Sequence, residues 1–229
     1  MCSSDLTFRG IIFDLDGTLI DSAPDLHAAA NALLAEAGRP PLSLDAVTRM
    51  IGDGMPRLIE RAFAATGAPA PADRMPELTR RFLKVYQDPA RPHLTRAYAG
   101  VAEGLDALRR AGLRLAVCTN KLEAAARSVL AELDLARRVD AVVGADGAPA
   151  QKPDPAHLRT ALERIGVGPD EAVMVGDGPN DAAAACALNM PFVLVGYGYG
   201  SAAVPRDAVA RRIERFADLS TALAALTRR

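Results

Sequence analysis

Five short apolar segments recur along the 229-residue chain, and each ends abruptly at a polar residue or a glycine. They are residues 8–13, 113–118, 139–143, 171–175 and 191–195. Short, nearly continuous apolar runs are typical of buried parallel strands. Helical patterns follow or separate them at 101–111, 122–133, 155–165 and 180–188. This alternation predicts an α/β fold, a doubly wound (Rossmann-like) parallel sheet with right-handed crossovers.

The segment from residue 22 to residue 96 interrupts that rhythm. It has helical patterns at 25–37, 44–51, 57–65 and 77–86, separated by Gly- and Pro-rich breakers, and no convincing strand. Such a segment indicates a helical insert between the first strand and the rest of the sheet. We therefore expect an α/β core at 1–21 and 97–229, and an inserted α-helical cap domain at 22–96.

Charge and cysteine content exclude several classes of protein. A formal net charge of −1 gives no electrostatic basis for a nucleic-acid or membrane partner. Three cysteines cannot form a disulfide framework, and no CxxC pair suggests zinc. Because there is neither a signal-peptide pattern nor an apolar run of about 20 residues, we expect a soluble, cytoplasmic protein. Whether it is a monomer or a homodimer stays open.

Polar residues stand where the predicted strands end. Asp14, Thr119 and Asp177 each follow a predicted strand, and Lys152 follows another strand after a loop. Ligands of doubly wound sheets bind outside the carboxyl ends of the strands. We therefore expect these four residues, from distant parts of the sequence, to meet in one crevice.

Acidic residues dominate this set. Asp14 and Asp16 are two apart on extended chain and can point the same way. Asp177 and Asp181 add two more acids, the second about one helical turn after the first. A cluster of carboxylates without His or Cys favours a hard cation, and Mg²⁺ suits phosphate chemistry best.

The same residues can carry out phosphoryl transfer. Asp14 can attack phosphorus and form an aspartyl-phosphate. Asp16 can protonate the leaving oxygen and then activate a water molecule. Thr119 with Asn120 can donate hydrogen bonds to the phosphoryl group, and Lys152 supplies a positive charge.

Four fragments in this order resemble the haloacid dehalogenase-like hydrolase superfamily, phosphatase branch, over nearly the whole chain. They are the run 13–19 (FDLDGTL), Thr119-Asn120, Lys152-Pro153, and Gly176-Asp177 with Asp181. The resemblance implies Asp14 and Asp177 as Mg²⁺ ligands, Asp16 as a ligand through its backbone carbonyl, and Asp181 as support. It also implies that the helical insert is the cap of that family.

Within the superfamily, the chain resembles the bacterial phosphoglycolate phosphatases. The matching stretches are residues 21–26, 51–54, 118–121 and 196–200. The chain departs from many relatives at Gly178-Pro179, where they have Ser or Thr after the aspartate. The resemblance implies 2-phosphoglycolate as the substrate. In the cap we assign Gly52, Gly54 and Arg57 to the substrate, with Arg57 binding its carboxylate; solvated surface is the alternative.

Several alternatives stay open. Another small phosphate ester (N-acetylmuramic acid 6-phosphate or a different sugar phosphate), pyrophosphate, or a phosphosugar mutase reaction would use the same core residues. A phospho-acceptor signalling module would also place acids, a hydroxyl and a lysine around an aspartate. The isolated histidines, His157 among them, are expected on the surface or as satisfied core residues. Cys118 and Cys186 are expected as small core residues.

Overall fold

The computed structural model describes residues 8–88 and 90–226. Cys2 and the outermost residues of the predicted core therefore lie outside the described residues. The chain divides into two compact units, one of Met1–Ile20 with Ala97–Arg229 and the other of Asp21–Arg96.

Eight strands lie within the described residues. In chain order they are β1 (Gly10–Phe13), β2 (Ile20–Asp21), β3 (Arg96–Ala97), β4 (Arg114–Cys118), β5 (Ala141–Val143), β6 (Ala172–Gly176), β7 (Phe192–Val195) and β8 (Arg211–Ile213). Nine α-helices lie in the same part of the chain. They are α1 (Ala23–Glu36), α2 (Leu44–Thr48), α3 (Met55–Ala65), α4 (Met75–Tyr86), α5 (Val101–Arg110), α6 (Glu123–Glu132), α7 (Pro155–Ile165), α8 (Pro179–Cys186) and α9 (Leu219–Ala224).

Six of the strands form one parallel sheet in the order β5-β4-β1-β6-β7-β8. The chain leaves the central strand β1 for β4 and β5 on one side, then builds β6, β7 and β8 on the other. Such a reversal creates a crevice at the carboxyl ends of the central strands. The predicted α/β class with a doubly wound parallel sheet is confirmed. Strands β2 and β3 form a separate two-stranded sheet.

Helices cover both faces of the large sheet. Alternate residues of β1 enter different apolar clusters, Ile11 and Phe13 on one face and Ile12 on the other. Helices α5, α6 and α9 pack on the first face, and α7 and α8 pack on the second. Each fully buried side chain of this size contributes about 2 kcal/mol. The two cores hold the strand ends, and the residues that follow them, in fixed positions.

The second unit contains helices α1 to α4 around its own apolar core. Leu34, Ile59 and Phe82 are among its most buried side chains. Its last residues are tied to α1, because the Asp25 carboxylate accepts hydrogen bonds from the backbone N–H groups of Leu94 and Thr95 at 2.9 and 2.8 Å. A helical unit with its own core thus follows the first strand of the sheet.

The sequence patterns missed the edge strand β8. Of its three residues Ile213 is buried, whereas Arg211 and Arg212 are exposed. An edge strand with one buried side chain shows no continuous apolar run, so the pattern that predicts central strands cannot detect it. No helix within the described residues is both long enough and apolar enough to span a membrane.

Candidate active site

Three of the predicted site residues directly follow strands of the large sheet. Asp14 follows β1, and its backbone N–H donates to the Val175 carbonyl of β6 at 2.9 Å. Thr119 follows β4, and its N–H donates to the Val143 carbonyl of β5 at 3.0 Å. Asp177 follows β6. The strand hydrogen bonding therefore continues into Asp14 and Thr119 and fixes their backbones at the strand ends.

Lys152 connects two of the predicted acids. Its Nζ lies 2.8 Å from Oδ1 of Asp14 and 2.6 Å from Oδ1 of Asp181, and the lysine is buried. The other carboxylate oxygen of Asp181 accepts from the Gly178 N–H at 3.1 Å. The structure thus brings together the end of β1, the start of α8 and the loop before α7, and Lys152 meets Asp14 as expected.

Three acids form a compact cluster that fits a cation. Asp14, Asp177 and Asp181 each offer a carboxylate oxygen, and these oxygens lie within 4.8 Å of one another. With all three carboxylates ionised and Lys152 protonated, the group carries a formal charge of −2. Oxygen donors with a surplus of two negative charges are suited to a hard divalent cation.

Burial makes the ionised form of these carboxylates unfavourable in the absence of such a cation. Burial raises the pKa of Asp14 to about 8, against the lowering effect of Lys152. Burial, and then the charge of Asp181, raise the pKa of Asp177 to about 7. For Lys152, burial alone would lower the pKa, but the charges of Asp14 and Asp181 outweigh it and raise that pKa. A divalent cation among the carboxylates would restore their ionised form.

The carboxylate of Asp16 lies outside this cluster and is held by a second lysine. Nζ of Lys121 donates to both Asp16 oxygens, at 3.2 and 3.3 Å. Lys121 is buried, and the sequence patterns predict no role for it. Its position directly after Thr119-Asn120 is the one sequence feature that could have indicated a place in the site. The predicted metal role of Asp16, through its backbone carbonyl, stays a prediction.

Thr119 and Asn120 are both buried at the end of β4. The Thr119 hydroxyl oxygen accepts from the Lys121 N–H at 3.2 Å. The Asn120 side-chain amide donates to the Lys152 carbonyl at 2.9 Å. Donation from either side chain to a phosphoryl group stays a prediction, but the structure shows Asn120 fixing the backbone of Lys152.

The glycine-rich loop at residues 196–200 packs against Asp177. The Gly200 N–H donates to Oδ2 of Asp177 at 3.1 Å. A Cβ on Gly198 would lie 2.1 Å from the Asp177 Cβ. Gly17 has φ +89°, and a Cβ there would lie 2.5 Å from Asp177 Oδ2. These contacts show that the loop encloses one acid of the cluster.

The predicted substrate residues of the helical unit lie at the start of α3. Gly52 and Gly54 have φ values of +126° and +82°, which side-chain-bearing residues rarely adopt. The exposed guanidinium of Arg57 lies 2.5 Å from the Glu60 carboxylate. The turn geometry accounts for both glycines, and substrate binding by these three residues stays a prediction.

The two described cysteines differ. Cys118 is buried in β4 as expected, and burial raises the pKa of its thiol to about 12, so it remains protonated. The expectation of a core role for Cys186 is wrong, because this residue lies exposed at the end of α8. The alanines around it do not reveal which face of that short helix is buried.

Comparison with known proteins identifies the family of the chain. A sequence model described as haloacid dehalogenase-like hydrolase matches residues 11–195. A phosphoglycolate phosphatase of Caulobacter vibrioides is 45% identical over 199 residues, 85% of this chain and 82% of that protein. The plasmid phosphoglycolate phosphatase of Cupriavidus necator is 39% identical over 225 residues, 96% of each. The crystal structure of a predicted phosphoglycolate phosphatase from Haemophilus somnus has a TM-score of 0.86 at 30% identity, covering 94% of this chain and 97% of that one.

Proposed function

The chain belongs to the haloacid dehalogenase-like hydrolase family, and from that premise we propose that it hydrolyses 2-phosphoglycolate to glycolate and inorganic phosphate. The reaction is supported by the site, and the substrate by the relatives of that name that are 39% to 45% identical over most of their length.

One observation carries the reaction type, namely the contact of Lys152 with Asp14 beside two further acids. Asp14 lies at the carboxyl end of the central strand, where a ligand can reach it. The lysine holds the attacking carboxylate in place and offers a positive charge close to the phosphoryl oxygens. Catalysis of phosphoryl transfer depends mainly on such positioning and charge neutralisation.

The proposed reaction has two steps. First, a carboxylate oxygen of Asp14 attacks phosphorus, the bond from phosphorus to the bridging oxygen breaks, and Asp16 donates a proton to the departing glycolate oxygen. Second, a water oxygen attacks the phosphorus of the aspartyl-phosphate, the bond from phosphorus to the Asp14 oxygen breaks, and Asp16 takes a proton from that water. Inorganic phosphate leaves and the Asp14 carboxylate is restored. Lys121 keeps the Asp16 carboxylate oriented, and the Thr119 hydroxyl donates to the phosphoryl group.

Mg²⁺ is the proposed cofactor. Asp14, Asp177 and Asp181 would hold it, with the backbone carbonyl of Asp16. When bound, the ion would neutralise negative charge on the transferring phosphoryl group and help to orient it. The 4.8 Å spread of the three carboxylate oxygens and their −2 surplus charge with Lys152 support this assignment.

We further propose that the helical unit at 22–96 acts as a cap that limits access to small esters and excludes bulk water.

Arg57 would bind the substrate carboxylate, with Gly52 and Gly54 shaping the turn before it. Arg49 provides a matched control, because it too is an exposed arginine paired with a nearby acid of the same unit, Asp45. Arg57→Ala should raise KM for phosphoglycolate, and Arg49→Ala should not. Equal KM values in both variants would remove Arg57 from the proposal.

A panel of phosphate esters assayed with Mg²⁺ tests the proposed function. The expected result is a higher kcat/KM for 2-phosphoglycolate than for N-acetylmuramic acid 6-phosphate, other sugar phosphates or pyrophosphate. A clear preference for one of these would overturn the substrate. Isomerisation of a phosphosugar without phosphate release would indicate a mutase, and an aspartyl-phosphate that persists for many minutes would favour a signalling module.

A further inference from the structure

His157 is fully buried near the start of α7, as expected of a satisfied core histidine. Its Nδ1 lies 3.1 Å from the backbone nitrogen of Lys152, and its Nε2 lies 3.0 Å from the carbonyl oxygen of Gly144. A backbone N–H can only donate, and a carbonyl oxygen can only accept. Nδ1 is therefore the unprotonated acceptor and Nε2 carries the hydrogen, so the two contacts define one neutral tautomer.

The surroundings keep the imidazole neutral. Burial, and then the charge of Lys152, lower the pKa of His157 to about 4. A proton on Nδ1 would turn that atom into a donor facing the Lys152 N–H, and the hydrogen bond would be lost. At neutral pH the acceptor on Nδ1 is therefore retained.

The backbone of Lys152 is held on both sides. His157 accepts from its N–H, and the side-chain amide of Asn120 donates to its carbonyl at 2.9 Å. The lysine side chain extends from this fixed backbone to Asp14 and Asp181. Lys152 lies in a loop before α7, so no strand or helix hydrogen bonding holds it in position.

The other end of the imidazole is attached to a rigid point. Gly144 directly follows β5, and a Cβ on it would lie 2.2 Å from the backbone nitrogen of Glu123. The next residue, Ala145, donates its N–H to the Lys121 carbonyl at 2.9 Å. His157 thus links the Lys152 loop to a strand end that packs tightly against the start of α6.

We propose that His157 is a positioning residue for Lys152. Its imidazole bridges the Gly144 carbonyl and the Lys152 N–H, and so holds in place the lysine whose ammonium group contacts the nucleophile. The proposal rests on the proposed phosphatase function of Lys152. It assigns His157 an effect on turnover although the imidazole touches neither substrate nor Asp14.

Two amide substitutions at His157 separate the roles of its two ring nitrogens. Asn places an amide oxygen where Nδ1 lies, at the same number of bonds from Cβ, and can accept from the Lys152 N–H. Gln places its amide nitrogen where Nε2 lies and can donate to Gly144. Leu can do neither. A matched control is Leu162→Ala, because Leu162 is also buried in α7 and belongs to its apolar core.

We expect the variants to differ in kcat. His157→Leu and His157→Gln should lower kcat by about 10- to 100-fold with little change in KM, since a small displacement of a catalytic group has an effect of that size. His157→Asn should recover most of the kcat, and Leu162→Ala should keep it while losing stability. Equal kcat in the Asn and Gln variants, or wild-type kcat in all three, overturns the proposal.

NMR spectroscopy gives a readout that does not depend on activity. In the wild-type protein, the ¹⁵N shifts of His157 should report the tautomer with hydrogen on Nε2. The ε-methylene signals of ¹³C-labelled Lys152 should keep their wild-type shifts in His157→Asn and change in His157→Gln. The opposite tautomer, or unchanged lysine signals in both variants, contradicts positioning. If the wild-type protein hydrolyses no ester while these signals behave as expected, the proposed function fails and the structural role of His157 stands.

Discussion

Nζ of Lys152 lies 2.8 Å from Oδ1 of Asp14, and both side chains are largely removed from solvent. In a buried site this ion pair is screened far less than an exposed one. The lysine also contacts Asp181, so it draws the ends of β1 and the start of α8 towards one point. This one side chain therefore organises the nucleophile and part of the acid cluster together.

The two buried lysines of the core unit should differ in importance. Lys152 contacts the proposed nucleophile, whereas Lys121 contacts Asp16. Lys152→Met should lower kcat by about 100- to 1000-fold, as removal of one preorganised charge contact does. Lys121→Met should lower kcat by about tenfold, through a less well oriented Asp16. Steady-state kinetics on both variants checks the order, and a larger loss in Lys121→Met would contradict it.

Mg²⁺ should stabilise the folded protein through the acid cluster. At a concentration about 100 times its Kd, the ion should add about 2.7 kcal/mol, measured as a rise in the thermal midpoint. Asp177→Asn should lose most of that rise. Asp16→Asn is the matched control, because its carboxylate bonds Lys121 outside the cluster. A loss in Asp16→Asn as large as that in Asp177→Asn would refute a purely backbone contribution from residue 16.

A methyl group should not fit at position 198. A Cβ there would lie 2.1 Å from the Asp177 Cβ and 2.6 Å from the Gly17 carbonyl oxygen. Gly198→Ala should destabilise the protein by about 1–3 kcal/mol and reduce activity by displacing Asp177. At Gly178 the nearest atom to a Cβ is 3.7 Å away, so Gly178→Ala should cost less than about 1 kcal/mol. Urea unfolding tests both, and equal losses would contradict the packing argument.

His157 should make stability depend on pH. In the unfolded chain its pKa is about 6.5, whereas in the folded protein burial and Lys152 lower it to about 4. As pH falls from about 7.5 to about 5, the unfolded chain gains a proton that the folded protein does not bind. The folded state should therefore lose about 2 kcal/mol of stability from this residue.

Urea unfolding at those two pH values, with EDTA present, isolates the effect. The wild-type protein and His157→Asn share all other titrating groups, so their difference in pH dependence reports residue 157. The variant should lose less stability on acidification. An identical loss in the two proteins would show that His157 is protonated in the folded state as readily as in the unfolded chain.

Sequence patterns were sufficient for the fold class and for the positions of the strand-end residues. Asp14, Thr119 and Asp177 could be placed at one crevice because each follows an apolar run, and parallel strands end at the same edge. The pattern failed at β8, where one buried Ile213 gives too little signal, and at Cys186, where a run of alanines hides the buried face.

The contacts that support the site could not be predicted. Lys121 meets Asp16 and His157 meets the Lys152 backbone through side-chain geometry, which has no periodic trace in the sequence. Likewise the packing of Gly198 on Asp177 joins two loops at separate strand ends. Motif spacing identifies which residues meet, but only the packed structure shows which neighbours hold them.

The most direct test of the proposed mechanism is chemical identification of the phosphorylated residue. After rapid acid quenching during turnover of 2-phosphoglycolate, borohydride reduction converts an aspartyl-phosphate into homoserine, which mass spectrometry can locate. The mechanism predicts homoserine at position 14 in the wild-type protein and none in Asp14→Asn, which should also show no turnover. Homoserine at another aspartate, or retained turnover in Asp14→Asn, would contradict it.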